Sequence, residues 1–157
     1  MTSPDPEHAA GREPTGGWFE GRTHVFPVRV YYEDTDFSGV VYHANYLRFM
    51  ERGRSEFLRM SGAGHQGLFA ASEPLVWAVR RMTIDFDRPA RMEEALTVRT
   101  SVLELAGARM RLDQRIARAS DILVKAVVEV CVITLDGRPR RMPDSTRKKL
   151  EIFLETR

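Results

Sequence analysis

The sequence predicts an α+β fold, with one long helix packed on a five-stranded antiparallel sheet and a short C-terminal helix. Three observations predict it. Residues 44–60 carry apolar side chains at helical spacing, and no other stretch does so at that length. One run before them and four after them are rich in β-branched and aromatic residues, the pattern of strands with one face in a core. The breaks between the later runs carry hairpin-type turn residues. An order of strand, helix and four strands places one helix against one sheet. A single helix covers only part of such a sheet, so the uncovered apolar area should be buried by a second subunit.

Residues 1–22 hold Pro, Gly, Glu and Ala with few apolar side chains, and are expected to be a disordered tail ahead of a domain over residues 23–157. Order should begin near His24, where "HVFPVRVYY" reads as a strand of nine residues, with Pro27 at an edge or at a point needing no ladder donor. In the helix, Tyr46, Met50, Gly53, Phe57 and Met60 recur at three and four, with Phe49 beside them and Arg48, Arg52, Glu56 and Arg59 around the stripe. Gly62 and Gly64 end it. Gly53 on a buried stripe costs about 1 kcal/mol against Ala, a cost that close approach of the helix backbone to the sheet would offset.

In "LVWAVRRMTIDF", Met82, Ile84 and Phe86 alternate with Arg81, Thr83 and Asp85. In "ALTVRTSVLEL", Leu96, Val98 and Val102 alternate with Thr97, Arg99 and Ser101. In "ARMRLDQRIAR", Met110, Leu112 and Ile116 face one way and Arg111, Asp113 and Arg115 the other. Turns are expected at Gly107 and at residues 119–121. "ILVKAVVEVCVITL" is apolar on both faces, as a central strand would be, which puts Cys131 in the core as an inert residue. After "DGRPRRMP", residues 144–155 form the short helix, with Asp144 or Ser145 as cap and Leu150, Phe153 and Leu154 as its apolar side.

At 157 residues, 43% hydrophobic and 29% charged, the chain has an ordinary single-domain composition. No apolar run reaches the roughly 18 to 20 residues of a membrane span. The N-terminal residues lack a secretory signal pattern, and one cysteine excludes an internal disulfide framework, so the cytoplasm is the expected compartment. The net charge of +2 is too small to indicate nucleic acid. Without residues 1–22, where Arg12 and Arg22 face Asp5, Glu7, Glu13 and Glu20, it becomes +4, a balance compatible with an anionic small ligand. Arg138, Arg140 and Arg141 form a basic cluster that suits either a phosphate or a solvated turn.

The chemistry concentrates in "EDTDFSGVVYHANY", residues 33–46. A calcium loop starting at Asp34 would use Asp36 and Ser38 with Gly39 at the turn, but its twelfth position is Asn45, which supplies no bidentate carboxylate. His8, His24, His43 and His65 have no metal-ligand spacing, so no metal is expected. A helix start also favours acids electrostatically, although Asp36 lies too early to cap a helix beginning near Ala44. Gly39 supplies the backbone freedom for a loop that keeps Asp36 close. A catalytic reading uses both ends of that loop. Free N–H groups at the helix start can hold a developing oxyanion, and an ionised carboxylate opposite can attack an acyl carbon or activate water. Asp is a weak base, so a thioester suits this arrangement better than an amide.

"VRVYYEDTDFSGVVYHANYLRFMERGRSEFLR" closely resembles the hot-dog-fold acyl-CoA thioesterases of the 4-hydroxybenzoyl-CoA thioesterase type, and most of all their Tol-Pal-associated, YbgC-type members. "VRRMTIDFDRPAR" supports the same resemblance, which covers residues 24–153. The resemblance implies a hot-dog fold paired as a dimer or a dimer of dimers, the latter a homotetramer. It implies an acyl-CoA substrate, with coenzyme A part of the substrate and no separate cofactor. It puts the catalytic carboxylate on Asp36, as nucleophile or general base, and implicates His43 and Tyr32 beside it. It puts the carbonyl-polarising helix-start amides around Val41 to His43, makes Gly39, Val40, Val41 and Tyr42 substrate-binding residues, and leaves Arg140 and Arg141 as candidates for the CoA phosphates. Trp77 is expected in the core or lining the acyl pocket. Phe37-Ser38 departs from the small residues or Pro of many relatives and implies a narrower channel. Two other readings stand beside hydrolysis of acyl-CoA: a thioesterase acting on acyl carrier protein, whose acidic surface would meet the basic patches, and a non-enzymatic acyl-CoA-binding protein.

Overall fold

A computed structural model describes residues 14–156 of the chain. Six strands form one antiparallel sheet: β1 (Trp18–Glu20), β2 (Thr23–Arg29), β3 (Leu75–Phe86), β4 (Ala95–Ala106), β5 (Arg109–Arg118) and β6 (Asp121–Thr134). Their spatial order is β1-β2-β4-β5-β6-β3. The helices are α1 (His43–Ser61), a short α2 (His65–Phe69) and α3 (Asp144–Glu151).

The long helix forms where its stripe requires. Tyr46, Phe49, Met50 and Phe57 are buried, and Gly62 closes the helix at φ 83°, its N–H donating to Arg59 O. Leu58 takes the last core position, whereas Met60 is 39% exposed. Gly53 provides the close approach its position implies: a Cβ there would lie 2.7 Å from Val98 Cγ1 on β4. α1 packs mainly over β2, β4 and β5, and α2 lies against β3.

The sheet has one strand more than the five expected. β1 lies inside the segment read as a disordered tail, and that reading fails for residues 14–22; residues 1–13 lie outside the described residues. Contacts with distant residues order this segment, which local composition does not reveal. Trp18 pairs with Val25, Phe19 stacks on Phe153 at 4.8 Å, and His24 Nε2 meets Gly16 O at 2.8 Å. β2 ends at Arg29, short of the expected Tyr32, because Tyr32–Asp34 turn into a 3-10 segment. Cys131 is half-buried rather than deep in the core, while its neighbours Val130 and Val132 are buried. α3 begins after Pro143 with no side-chain cap, so neither Asp144 nor Ser145 caps it.

Among the described residues β3 pairs only with β6, so its other edge is open there over twelve residues. Val79 (52%) and Phe86 (46%) are exposed, and Met82 and Ile84 are only partly buried.

Candidate active site

The acidic loop holds two aspartates with opposite environments. Asp34 is buried at 5% exposure. Its Oδ2 accepts the Tyr31 N–H at 2.7 Å, its Oδ1 accepts Asn45 Nδ2 at 2.9 Å, and its carbonyl accepts the Tyr42 N–H at 2.9 Å. This one residue ties the 3-10 turn to the first turn of α1, and those ties engage both oxygens of its carboxylate. Asp34 entered above only as the first position of a calcium loop; the signal for its anchoring role was Asn45, an amide on the helix face that must be buried.

Asp36 is exposed. Its carboxylate accepts the Ser38 N–H at 2.9 Å and the Ser38 hydroxyl, and its carbonyl accepts the Gly39 N–H at 3.0 Å. Gly39 holds φ 80°, the left-handed conformation that closes this turn. The Ser38 hydroxyl, then the Ser38 N–H, hold the Asp36 carboxyl below the ordinary carboxylate value, with a smaller contribution from His43 nearby. The loop therefore keeps Asp36 ionised.

At the start of α1 the expected amides divide. The Val41 N–H donates to Ala90 O (2.9 Å) and the Tyr42 N–H to Asp34 O, so neither is free to polarise a carbonyl. The Gly39 N–H donates to Asp36 O, and Val40 is held through its carbonyl, which accepts the Asp36 N–H, and by its bridge to Arg91; the Val40 N–H donates to no acceptor among the described residues. The N–H groups of His43 and Ala44 donate to no acceptor among the described residues, and no side chain caps the helix at Tyr42. The free helix-start donors thus fall at the last expected position, His43, and one residue beyond it, because Val41 and Tyr42 anchor the loop.

A groove of about 230 Å³ runs beside these donors, lined by Val41, His43, Tyr46, Phe86, Asp87, Arg88 and Pro89. The His43 ring packs edge-on against Phe86 at 6.1 Å, and Tyr46 Oη accepts the Ala90 N–H at 2.9 Å. The groove is half apolar, with exposed cation Arg88 at its rim.

Tyr32 is 81% exposed in the 3-10 turn, on the same loop as Asp36 but without a hydrogen bond to it. Phe37 is fully exposed, so within one chain it narrows no channel. Arg140 and Arg141 are not brought to this site. Arg140 pairs with Glu73 at 2.8 Å, just before the Leu75 end of β3, whereas His43 packs at the Phe86 end. The length of β3 between them is about 35 Å at about 3.3 Å per residue. Trp77 lies in the core with its Nε1 donating to Ala63 O at 3.1 Å.

Among the described residues no helix is long and apolar enough to cross a membrane. They also contain no group of three or more His, Cys, Asp or Glu placed to hold a metal ion.

The model of the thioesterase-like superfamily matches residues 30–150. The acyl-CoA thioester hydrolase YbgC of Escherichia coli is 43% identical over 122 residues, covering 76% of this chain and 90% of the relative. The acyl-CoA thioesterase YbgC of Haemophilus influenzae is 44% identical over 110 residues, 70% of this chain and 80% of the relative. A probable thioesterase from Bartonella henselae is similar in structure, with a TM-score of 0.74 and 49% identity over 77% of this chain and 99% of that one.

Proposed function

The chain belongs to the thioesterase-like superfamily as a YbgC-type thioester hydrolase with a hot-dog fold, and from that premise we propose that it hydrolyses acyl-CoA thioesters through Asp36. The observation that carries this reading is the pairing, in one loop-and-helix unit, of an ionised carboxylate with two unsatisfied helix-start amides.

The thioester carbonyl accepts hydrogen bonds from the His43 and Ala44 N–H groups, and the dipole of a 19-residue helix adds to them. Donors fixed before the reaction stabilise the oxyanion as it forms. Asp36 then supplies either the nucleophile or the base. As nucleophile it forms a mixed anhydride and expels the CoA thiolate, and water cleaves the anhydride. As base it takes a proton from water, whose oxygen attacks the same carbon. Either route consumes one water and yields free acid and CoA. An Asp with a lowered pKa is a weaker base but is fully ionised at neutral pH, which suffices for an ester with a thiolate leaving group.

On a single chain Asp36 faces solvent, so the site needs a further wall. The open edge of β3 and its exposed Val79 and Phe86 support a second copy of the chain as that wall. Assembly through this edge would also cover these exposed apolar side chains.

The test is Asp36→Asn. Turnover of acyl-CoA, followed by thiol release, should fall by about two to four orders of magnitude with unfolding unchanged. Turnover like that of the wild type would remove Asp36 from the reaction. Acyl carrier protein thioesters run in parallel separate the two carriers.

A further inference from the structure

Beyond the reaction centre, α1 carries a second set of donors without acceptors. Arg54 is buried at 8% exposure. Its Nη1 donates to Gln114 Oε1 at 2.9 Å. Gln114 is itself fixed, its Nε2 donating to Met50 O (3.0 Å) and Thr100 Oγ1 (2.9 Å). The Nε and Nη2 groups of Arg54 donate to no acceptor among the described residues, and no carboxylate there lies within ion-pair distance. The neighbouring Glu51 is exposed and accepts the Ser55 hydroxyl at 3.0 Å. Taking a guanidinium out of water is costly; burial pushes this one below its ordinary range, and the charge of nearby Glu51 offsets only part of that.

Arg54 lines a cavity of about 110 Å³ with Leu58, Trp77, Val79, Leu112 and Val130, among others. The walls are mainly apolar; Glu51, Ser55 and His65 also line the cavity but are exposed or half-buried, so Arg54 is the buried polar group among them. A chamber of this kind takes the end of a hydrocarbon chain that terminates in an anion.

Its position relative to the reaction centre adds a length. From Ala44 to Arg54 is ten residues of helix, about 15 Å at 1.5 Å per residue. Alongside this span the structure offers Leu47 (39% exposed) on α1, and the partly buried Met82 and Ile84 on β3. Met82 and Ile84 lie on β3 between Phe86, at the groove, and Val79, at the cavity, and supply apolar surface between the two. Three backbone bonds span about 3.3–3.6 Å, so 15 Å corresponds to about a dozen bonds.

We propose that the Arg54 cavity binds the terminal carboxylate of the acyl group, making long-chain α,ω-dicarboxylic mono-thioesters of coenzyme A a preferred substrate class. The proposal rests on the acyl-CoA hydrolysis proposed above. The carboxylate would satisfy the idle guanidinium donors, and the chain would lie along that apolar surface. A methyl-ended chain of equal length would leave Arg54 unpaired.

The test compares ω-carboxy and methyl-ended acyl-CoA pairs of 8, 12 and 16 carbons (about 10–20 Å of chain), with kcat and KM read by thiol release. The wild type should favour the carboxylated member near 12 carbons by at least about tenfold in kcat/KM, the scale of a charge-assisted hydrogen bond. Arg54→Met should abolish that preference while turning over methyl-ended chains, and Arg54→Lys should restore part of it. If Arg54→Met fails to fold, the wild-type comparison decides alone. Methyl-ended chains turned over as well as or better than their carboxylated partners would overturn the proposal, as would a preference that survives in Arg54→Met. That second result would mean that another cation or donor, not Arg54, holds the carboxylate. No thioester turned over at any length would instead be a failure of the hydrolytic reading.

Discussion

Asp34 and Asp36 lie two residues apart and should separate stability from activity. Replacing Asp34 by Ala removes the acceptor for Asn45 Nδ2 and for the Tyr31 N–H. Asn45 is 8% exposed, so its amide would be left buried and unpaired. Each such orphan costs about 1–3 kcal/mol. Tyr31 is 62% exposed and its N–H can recover part of that cost from water. The expected loss is therefore about 2–4 kcal/mol, and for a chain of this length about 2–4 °C per kcal/mol gives a Tm lowered by about 4–16 °C. Asp34→Asn keeps one acceptor but turns an amide donor toward a second donor, so it should fall between. Asp36→Ala removes an exposed side chain whose hydrogen-bonding partner is Ser38, and should change stability by no more than about 0.5 kcal/mol. Thermal unfolding by circular dichroism, with thiol release measured well below each Tm, gives both readouts. Asp34→Ala should lose stability first and keep measurable turnover; Asp36→Ala should keep its Tm and lose turnover. The reasoning fails if Asp34→Ala unfolds like the wild type, or if Asp36→Ala is destabilised as much as Asp34→Ala.

Three further outcomes follow from the same structure. The Ser38 hydroxyl is the largest cause of the lowered Asp36 pKa, so Ser38→Ala should move the acid limb of kcat/KM up toward the ordinary value of 3.8; an unmoved limb would separate Ser38 from the ionisation that governs turnover. Burial lowers the His24 pKa, so the unfolded chain binds a proton there that the folded chain resists, and this contribution to stability is complete above the unfolded value near 6.5 and lost as pH falls below it toward the depressed folded value. The Tm of His24→Gln should then decline less than that of the wild type between pH 7.5 and 5.5, and parallel declines would assign the acid sensitivity elsewhere. Gly53→Ala gains about 1 kcal/mol of helix propensity but drives a Cβ to 2.7 Å from Val98 Cγ1 in a fully buried site, where overpacking costs about 1–3 kcal/mol. Chemical denaturation should find the variant less stable, with Val98→Ala recovering part of the loss; a more stable Gly53→Ala would mean that α1 shifts freely over β4.

Features that depend on one element's own periodicity were legible in the sequence. The stripe of α1, the Gly62 stop and the turn at Gly107 are where spacing put them, and Gly53 on a buried face did mark a close approach. Features that depend on distant partners were not. β1 is three residues long in a Gly- and Glu-rich stretch, and Phe19 is held by Phe153 and His24, neither of which a local window can supply. The alternation of β5 was read from Met110, Leu112 and Ile116, yet Gln114 shares their buried face. A polar residue at that register was itself a signal, since a buried amide needs partners; the partners, Arg54, Thr100 and Met50, come from a helix and another strand. At the site, residue types alone could not tell the anchoring Asp34 from the exposed Asp36, because the 3-10 turn decides which carboxylate faces inward.

The unsatisfied polar groups of the fold also sort by what surrounds them. His24 Nδ1 is buried without a partner, but its ring is packed against Phe19 and Phe57. A group walled in by aromatic rings contributes to the fold's pH dependence and has no room for a ligand. The His43 and Ala44 amides open on the groove at Phe86, and Arg54 opens on the cavity at Trp77 and Val79. Both sets lie on α1, and the same helix is clamped between them by Gly53 against Val98 and at its start by Asp34. Clamping fixes the separation of the two donor sets. A ligand that satisfies only one end leaves the other unpaired, so a fixed separation discriminates by chain length as well as by end group, and the 8-, 12- and 16-carbon comparison reads that discrimination directly.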